Sequence, residues 1–186
     1  EPGITPLVDG WPAAGMAGSD TLDLDLDGVP AVPLGPPGAY HDRAGFWHGG
    51  IGVAACWYGG ATATARPLLE ATHLDAHGLA HLGAVDVVLT ATRAVLVAAA
   101  DAIDADPRDL RGGARRRAMR ARALVERTGR EVLDRVGRAL GPAPLGRDAG
   151  HAQRVADLTV YLRQHHAERD LAALGTDLAA GQGNPW

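Results

Sequence analysis

The sequence predicts a mainly α protein, an antiparallel four-helix bundle preceded by a short β-strand segment. Three observations predict it. From about residue 43 onward, apolar residues recur every three or four positions. Most of the 12 prolines crowd instead into residues 1–40, where the apolar period is two. The connections between helical stripes are short, which favours antiparallel neighbours.

In chain order, Ile4 to Val8 is a weak strand and TLDLDLDGV is a stronger one. The second alternates Leu22, Leu24 and Leu26 against Asp23, Asp25 and Asp27, then closes on an Asp-Gly turn signal. Two short strands make no independently stable sheet, so a sheet partner is expected outside this chain. The first helix contains GFWHGGIGVAACWYGGA (Gly45 to Ala61), with six glycines and four aromatic residues. A second helix follows the stripe Leu82, Val85, Leu89, Thr92, Leu96, Ala99, Ile103 and stops at Pro107. A third follows Ala114, Ala118, Ala121, Val125, Thr128, Val132, Val136 and Ala139, and ends at GPAP. The last runs from about 149 to 172 and carries Val155, Leu158, Tyr161 and Leu162. Leu82, Leu89, Leu96, Val125 and Val132 are expected to be buried. The segments divide as 1–40, a strand remnant; 41–175, the bundle; and 176–186, a loose tail.

Composition narrows the function. The net charge of −4 argues against a dedicated nucleic-acid or anionic-membrane binder. All 18 basic residues are arginine. Cys56, the lone cysteine, excludes an internal disulfide and a cysteine metal cluster, so a cytoplasmic setting is expected. The stretch from Val85 to Ile103 carries Asp86, Arg93 and Asp101 and is not read as membrane-spanning. Glu1 in place of methionine suggests a chain processed from, or cut out of, something larger.

Four motifs are weaker than they look. Gly50, Gly52 and Ala55 spell G-x-G-x-x-A, but no strand precedes them, and Glu70 sits in a helical context. Asp23, Asp25, Asp27 and Gly28 open a calcium-loop pattern that has Leu34 where a bidentate glutamate belongs. His73, His77 and His81 are spaced by four, while Glu126 and Glu131 look solvated and complete no di-metal set. The arginines of RGGARRRAMRAR read as a solvated helix surface.

Taken in order, the segments resemble the acyl-CoA dehydrogenase superfamily, including its flavin monooxygenase branch. The resemblance spans roughly residues 10 to 175. GMAGSDTLDLDLDGVPAVPLGPPG (Gly15 to Gly38) is similar to the end of that family's middle β-domain, and the helical region after it is similar to the family's C-terminal four-helix bundle. The closing part carries a glycine turn, Pro144-Leu145, the Arg154/Asp157 pair and His165.

The resemblance implies FAD as cofactor, with contacts from Arg138, Gly141, Arg154 and Asp157. It implies an acyl-CoA or related substrate, walled by Phe46, Trp47, Trp57 and Tyr58. As partner it implies a second copy or a separate N-terminal half. The family's Arg-x-x-Phe-Gly pattern is missing, and so is the glutamate that takes the substrate's α-proton. His165 falls near the glutamate's place and can act as a base at neutral pH. A non-catalytic bundle that mediates assembly stays open beside this reading.

Overall fold

A computed structural model describes residues 3–7 and 11–181. These residues are mainly helical, with a two-stranded antiparallel sheet. Strand β1 (Ile4–Leu7) pairs with β2 (Asp23–Leu26), Ile4 facing Leu26 and Pro6 facing Leu24. That register gathers Ile4, Pro6, Leu24 and Leu26 on one face. Leu24 and Leu26 remain exposed. Val8, the expected end of the first strand, lies outside the described residues.

Among the described residues, seven α-helices follow: α1 (Ala39–Asp42), α2 (Ala44–Leu69), α3 (Ala76–Ala105), α4 (Ala114–Leu140), α5 (Ala143–Arg147), α6 (Ala149–Tyr161) and α7 (Glu168–Ala180). Caps mark two of the starts. Asp75 accepts the Gly78 N–H at 2.7 Å to open α3, and Asp148 accepts that of His151 at 2.9 Å to open α6. These backbone donors hold both carboxyls below the usual carboxylate range.

Packing sets the directions of the helices. Ile51 groups with Ala118 and Ala121, and Thr64 lies with Val136, so α2 and α4 run the same way. Ala99 joins the Ile51 end, so α3 runs opposite to both. In α6, His151 reaches the Thr64 end and Leu158 reaches Gly60, so α6 also runs against α2. The core is built from Trp57, Leu68, Val125, Val132, Val136, Leu158 and Leu162. Thr92 and Thr128 share a buried 2.8 Å hydroxyl hydrogen bond between α3 and α4. A Cβ on Gly129 would stand 2.9 Å from Leu162, so glycine is what lets the end of α6 sit down on α4.

Several expectations need correction. Val125 and Val132 are buried, but Leu82, Leu89 and Leu96 are half-buried, because α3 lies at the edge of the core. His73 precedes α3 rather than sharing its face with His77 and His81. Glu126 is buried, held by Arg130 at 2.9 Å and Arg163 at 2.7 Å. The last helix is interrupted: α6 passes through a 3-10 turn (Leu162–Gln164), and α7 begins at Glu168. Helix α7 also takes Thr176 to Ala180 out of the expected loose tail, while residues 182–186 lie outside the described residues.

The N-terminal segment is tied to α6. Gly15 is buried there, and a Cβ on it would fall 2.2 Å from the Ala156 carbonyl oxygen, a position only glycine can occupy. Beside it, the Met16 N–H donates to Asp157 Oδ1 at 2.5 Å.

Candidate functional site

Where α6 gives way to α7, the backbone does something costly. Ala167 sits at φ 44°, ψ −117°, outside the regions an alanine favours, at a cost of about 1–3 kcal/mol. His165 holds the break. Its Nδ1 accepts the Ala167 N–H at 3.2 Å, so the neutral ring carries its proton on Nε2. Asp170 steadies the other side by accepting the His166 N–H at 3.2 Å. The His165 ring is buried, and Nε2 has no hydrogen-bond partner among the described residues. The nearest carboxylate oxygen, on Asp170, is 3.9 Å away, too far to bond.

The break opens onto a cleft of about 610 Å³ between α2, α4 and α7. Tyr40, Phe46 and Trp47 give it aromatic walls, and Gly45, Gly49 and Gly50 bare one side of α2. Beyond the backbone of α2 and the adjoining residues, no described atom lies within 4 Å of a Cβ placed on Gly45 or Gly49, so those two positions open outward. Tyr40, Phe46 and Trp47 brace one another edge-on, with Phe46 5.8 Å from Tyr40 and 5.3 Å from Trp47. Arg43, Arg115, Arg122 and Arg169 bring positive charge to the cleft, facing the carboxylate of Asp170. Arg43 lies over the Tyr40 ring at 4.4 Å, and Arg115 pairs with Asp177 of α7.

Arg122 is the fastening. It donates to the Gly50 carbonyl of α2 and the Gln164 carbonyl at the break, each at 3.2 Å, and lies 4.6 Å over the Trp57 ring. Burial lowers its pKa, with Asp170 and Tyr161 opposing, and it stays charged.

Burial also lowers the pKa of His165, against the pull of Asp170 and Glu126 and with Arg122 and His166 adding to the lowering. His151 is lowered too, first by burial and then by Arg154. Both rings are therefore neutral in the folded protein, while in the unfolded chain they take up protons near pH 6.5. The unfolded state then binds more protons, so stability is full above about pH 6.5 and falls as pH drops below it. Urea midpoints measured from pH 8 to 5 are expected to fall on the acid side, less steeply in a His165→Asn variant. A flat profile would mean the rings are not buried neutral.

The site residues expected from sequence divide into three groups. His165, Phe46 and Trp47 meet at the cleft. Trp57 is fully buried in the core, 6.0 Å edge-on from Tyr161, which corrects the expectation that it walls the substrate. Tyr58 packs against the same core.

Arg138, Gly141, Arg154 and Asp157 form no common cradle. Arg138 pairs along its own helix with Asp134, and Gly141 turns the chain at φ 65° beside His151. Arg154 is 4.0 Å from Asp148, and Asp157 is engaged by Met16 and Gln153. A flavin dinucleotide needs a seat for its pyrophosphate and a slot for its ring, and these four residues build neither within this chain.

Tyr40, Arg43, Arg122 and Asp170 were not picked out as site residues from sequence. The acid-rich ERD at Glu168 to Asp170 was the available signal, since acidic residues mark the first turn of a new helix. Among the described residues, no three His, Cys, Asp or Glu side chains stand close enough to share a metal ion. Comparison with protein-family models finds no match, and comparison with curated proteins finds none either.

Proposed function

We propose that α2, α3, α4 and the interrupted column of α6 and α7 form an antiparallel four-helix bundle that is the C-terminal portion of an oxidoreductase resembling acyl-CoA dehydrogenases. This chain would contribute the substrate cleft. FAD would be held chiefly by a missing N-terminal half or a second copy, because the residues expected to touch it do not converge here. The single observation that carries the reading is the buried, unpartnered Nε2–H of His165 at an aromatic cleft edged with arginine.

Such a cleft suits an amphipathic anion. An apolar acyl chain would lie along Phe46, Trp47 and the bare glycine side of α2. A phosphate-bearing carrier would meet Arg43 and Arg169. The Nε2–H would point at a carbonyl oxygen, where it binds more strongly as negative charge grows on that oxygen. With Nδ1 engaged by Ala167, the neutral His165 would serve as a hydrogen-bond donor through Nε2–H; acting as base would require the other tautomer and the loss of that bond.

The test is calorimetric titration of the full chain with a medium-chain acyl-CoA thioester, repeated with Gly49→Leu. A leucine at that open position fills the cleft, at an overpacking cost of about 1–3 kcal/mol for a bound acyl chain. Affinity is expected to fall about tenfold or more. Thermal stability should hold or rise, because leucine is the better helix former. Equal affinity in the two proteins would remove the acyl chain from this cleft.

The divergence of Arg138, Gly141, Arg154 and Asp157 favours a second reading, a non-catalytic assembly bundle. A colourless assembled complex that binds no thioester would select it.

A further inference from the structure

Helix α3 carries a face that nothing in the described chain covers. Its most apolar 18-residue window has a mean hydropathy of 1.8, long and apolar enough to cross a membrane, yet only 17% of it is buried. Leu79, Val87 and Val97 are exposed, with Gly83 and Ala94 between them. At about 100° per residue these positions share one strip, turned away from buried Val85, Thr92 and Ala99. Beyond the backbone of α3 and the adjoining residues, no described atom lies within 4 Å of a Cβ on Gly83, so the strip is smooth there. Small residues of this kind let two helix axes approach to about 8–10 Å.

Asp86 and Arg93 stand along one edge of the strip. Both are exposed, and neither has an ion pair or side-chain hydrogen bond among the described residues. Seven residues separate them, which is about 10.5 Å along the helix and about 20° around it.

We propose that this face is where two copies of the chain associate, their α3 helices packed antiparallel across a two-fold axis level with the midpoint between Asp86 and Arg93. A two-fold perpendicular to the helices reverses their direction and keeps each edge on its own side of the contact. Asp86 of each copy then stands level with Arg93 of the other, and the symmetry makes the pair twice. A parallel two-fold would put the two edges on opposite sides and leave both charges unpaired. A lipid surface suits the strip less well, because Asp86 and Arg93 would border hydrocarbon near its centre. The proposal does not rest on the cleft, since α3 lines no part of it.

The experiment is sedimentation velocity on the full chain at micromolar concentration, with Asp86→Arg and Arg93→Asp separately, mixed, and combined in one chain. Each single reversal sets like charges against each other at both pairs and is expected to weaken the dimer at least about tenfold. Mixing the two variants restores opposite charges at both positions, so the mixture should sediment as heterodimer. The doubly reversed chain should dimerise like the parent. Circular dichroism should be unchanged throughout, because both side chains are exposed. A monomeric parent chain, single reversals without effect, or a mixture no tighter than its components would overturn the proposal. So would co-flotation of the parent chain with phosphatidylcholine vesicles in place of dimerisation.

Discussion

Replacing His165 by alanine in a flavin-loaded assembly is expected to lower turnover by about 10²–10³-fold, the usual worth of one hydrogen-bond donor aimed at a developing oxyanion, with flavin absorbance kept. Alanine also removes the acceptor for the Ala167 N–H and so loosens the break. The informative companion is His165→Asn, whose side-chain oxygen can take the place of Nδ1 while nothing replaces Nε2. If Nε2–H is the working group, asparagine should be nearly as slow as alanine while melting closer to the parent. His166 is exposed and its Nδ1 lies 3.5 Å from Asp170, so its replacement should matter far less. An asparagine variant with parental turnover would take His165 out of the reaction and leave it a purely structural role.

Trp57→Ala should destabilise the protein by about 3–5 kcal/mol, the range for emptying a large buried aromatic site. Trp57 is fully buried, and its ring also carries the Arg122 guanidinium, so part of the fastening between α4 and α2 would go with it. Denaturant unfolding measures the loss directly. Were Trp57 instead a substrate wall, the variant would raise KM and leave the unfolding midpoint nearly in place. Trp57→Phe, which keeps a ring beneath Arg122, should cost much less than alanine.

What the sequence made legible was periodic. The stripe through Val125 and Val132 found its helix, because burial on one face imposes a period; the alternating leucines of β2 found their strand, although Leu24 and Leu26 stay exposed. The glycine-rich stretch found its place as well, with Gly45, Gly49 and Gly50 on the cleft and Gly60 under Leu158. Facts about neighbours were not legible. Glu126 looked solvated among arginines, yet Arg163 comes from 37 residues away to bury it. Arg122 looked like one of a charged run, and only the arrival of Gln164 and Gly50 makes it a fastening. Leu82, Leu89 and Leu96 had the right period for burial, but a helix at the edge of a core leaves part of such a stripe wet. The break at His165 carries no proline or glycine, so no backbone signal announced it.

That break changes how the cleft can work. Helix α7 buries none of its residues, and it is joined to the rest through the strained Ala167 and a few polar ties, such as that between Arg115 and Asp177. Segments with little buried apolar surface open at a small fraction of the global unfolding free energy. Two walls of the cleft, α2 and α4, belong to the core, while the third is hung from a hinge. Opening of α7 alone would give a bulky ligand a way in that leaves the core intact, and an anionic ligand's contact with Arg169 would help to hold the helix closed.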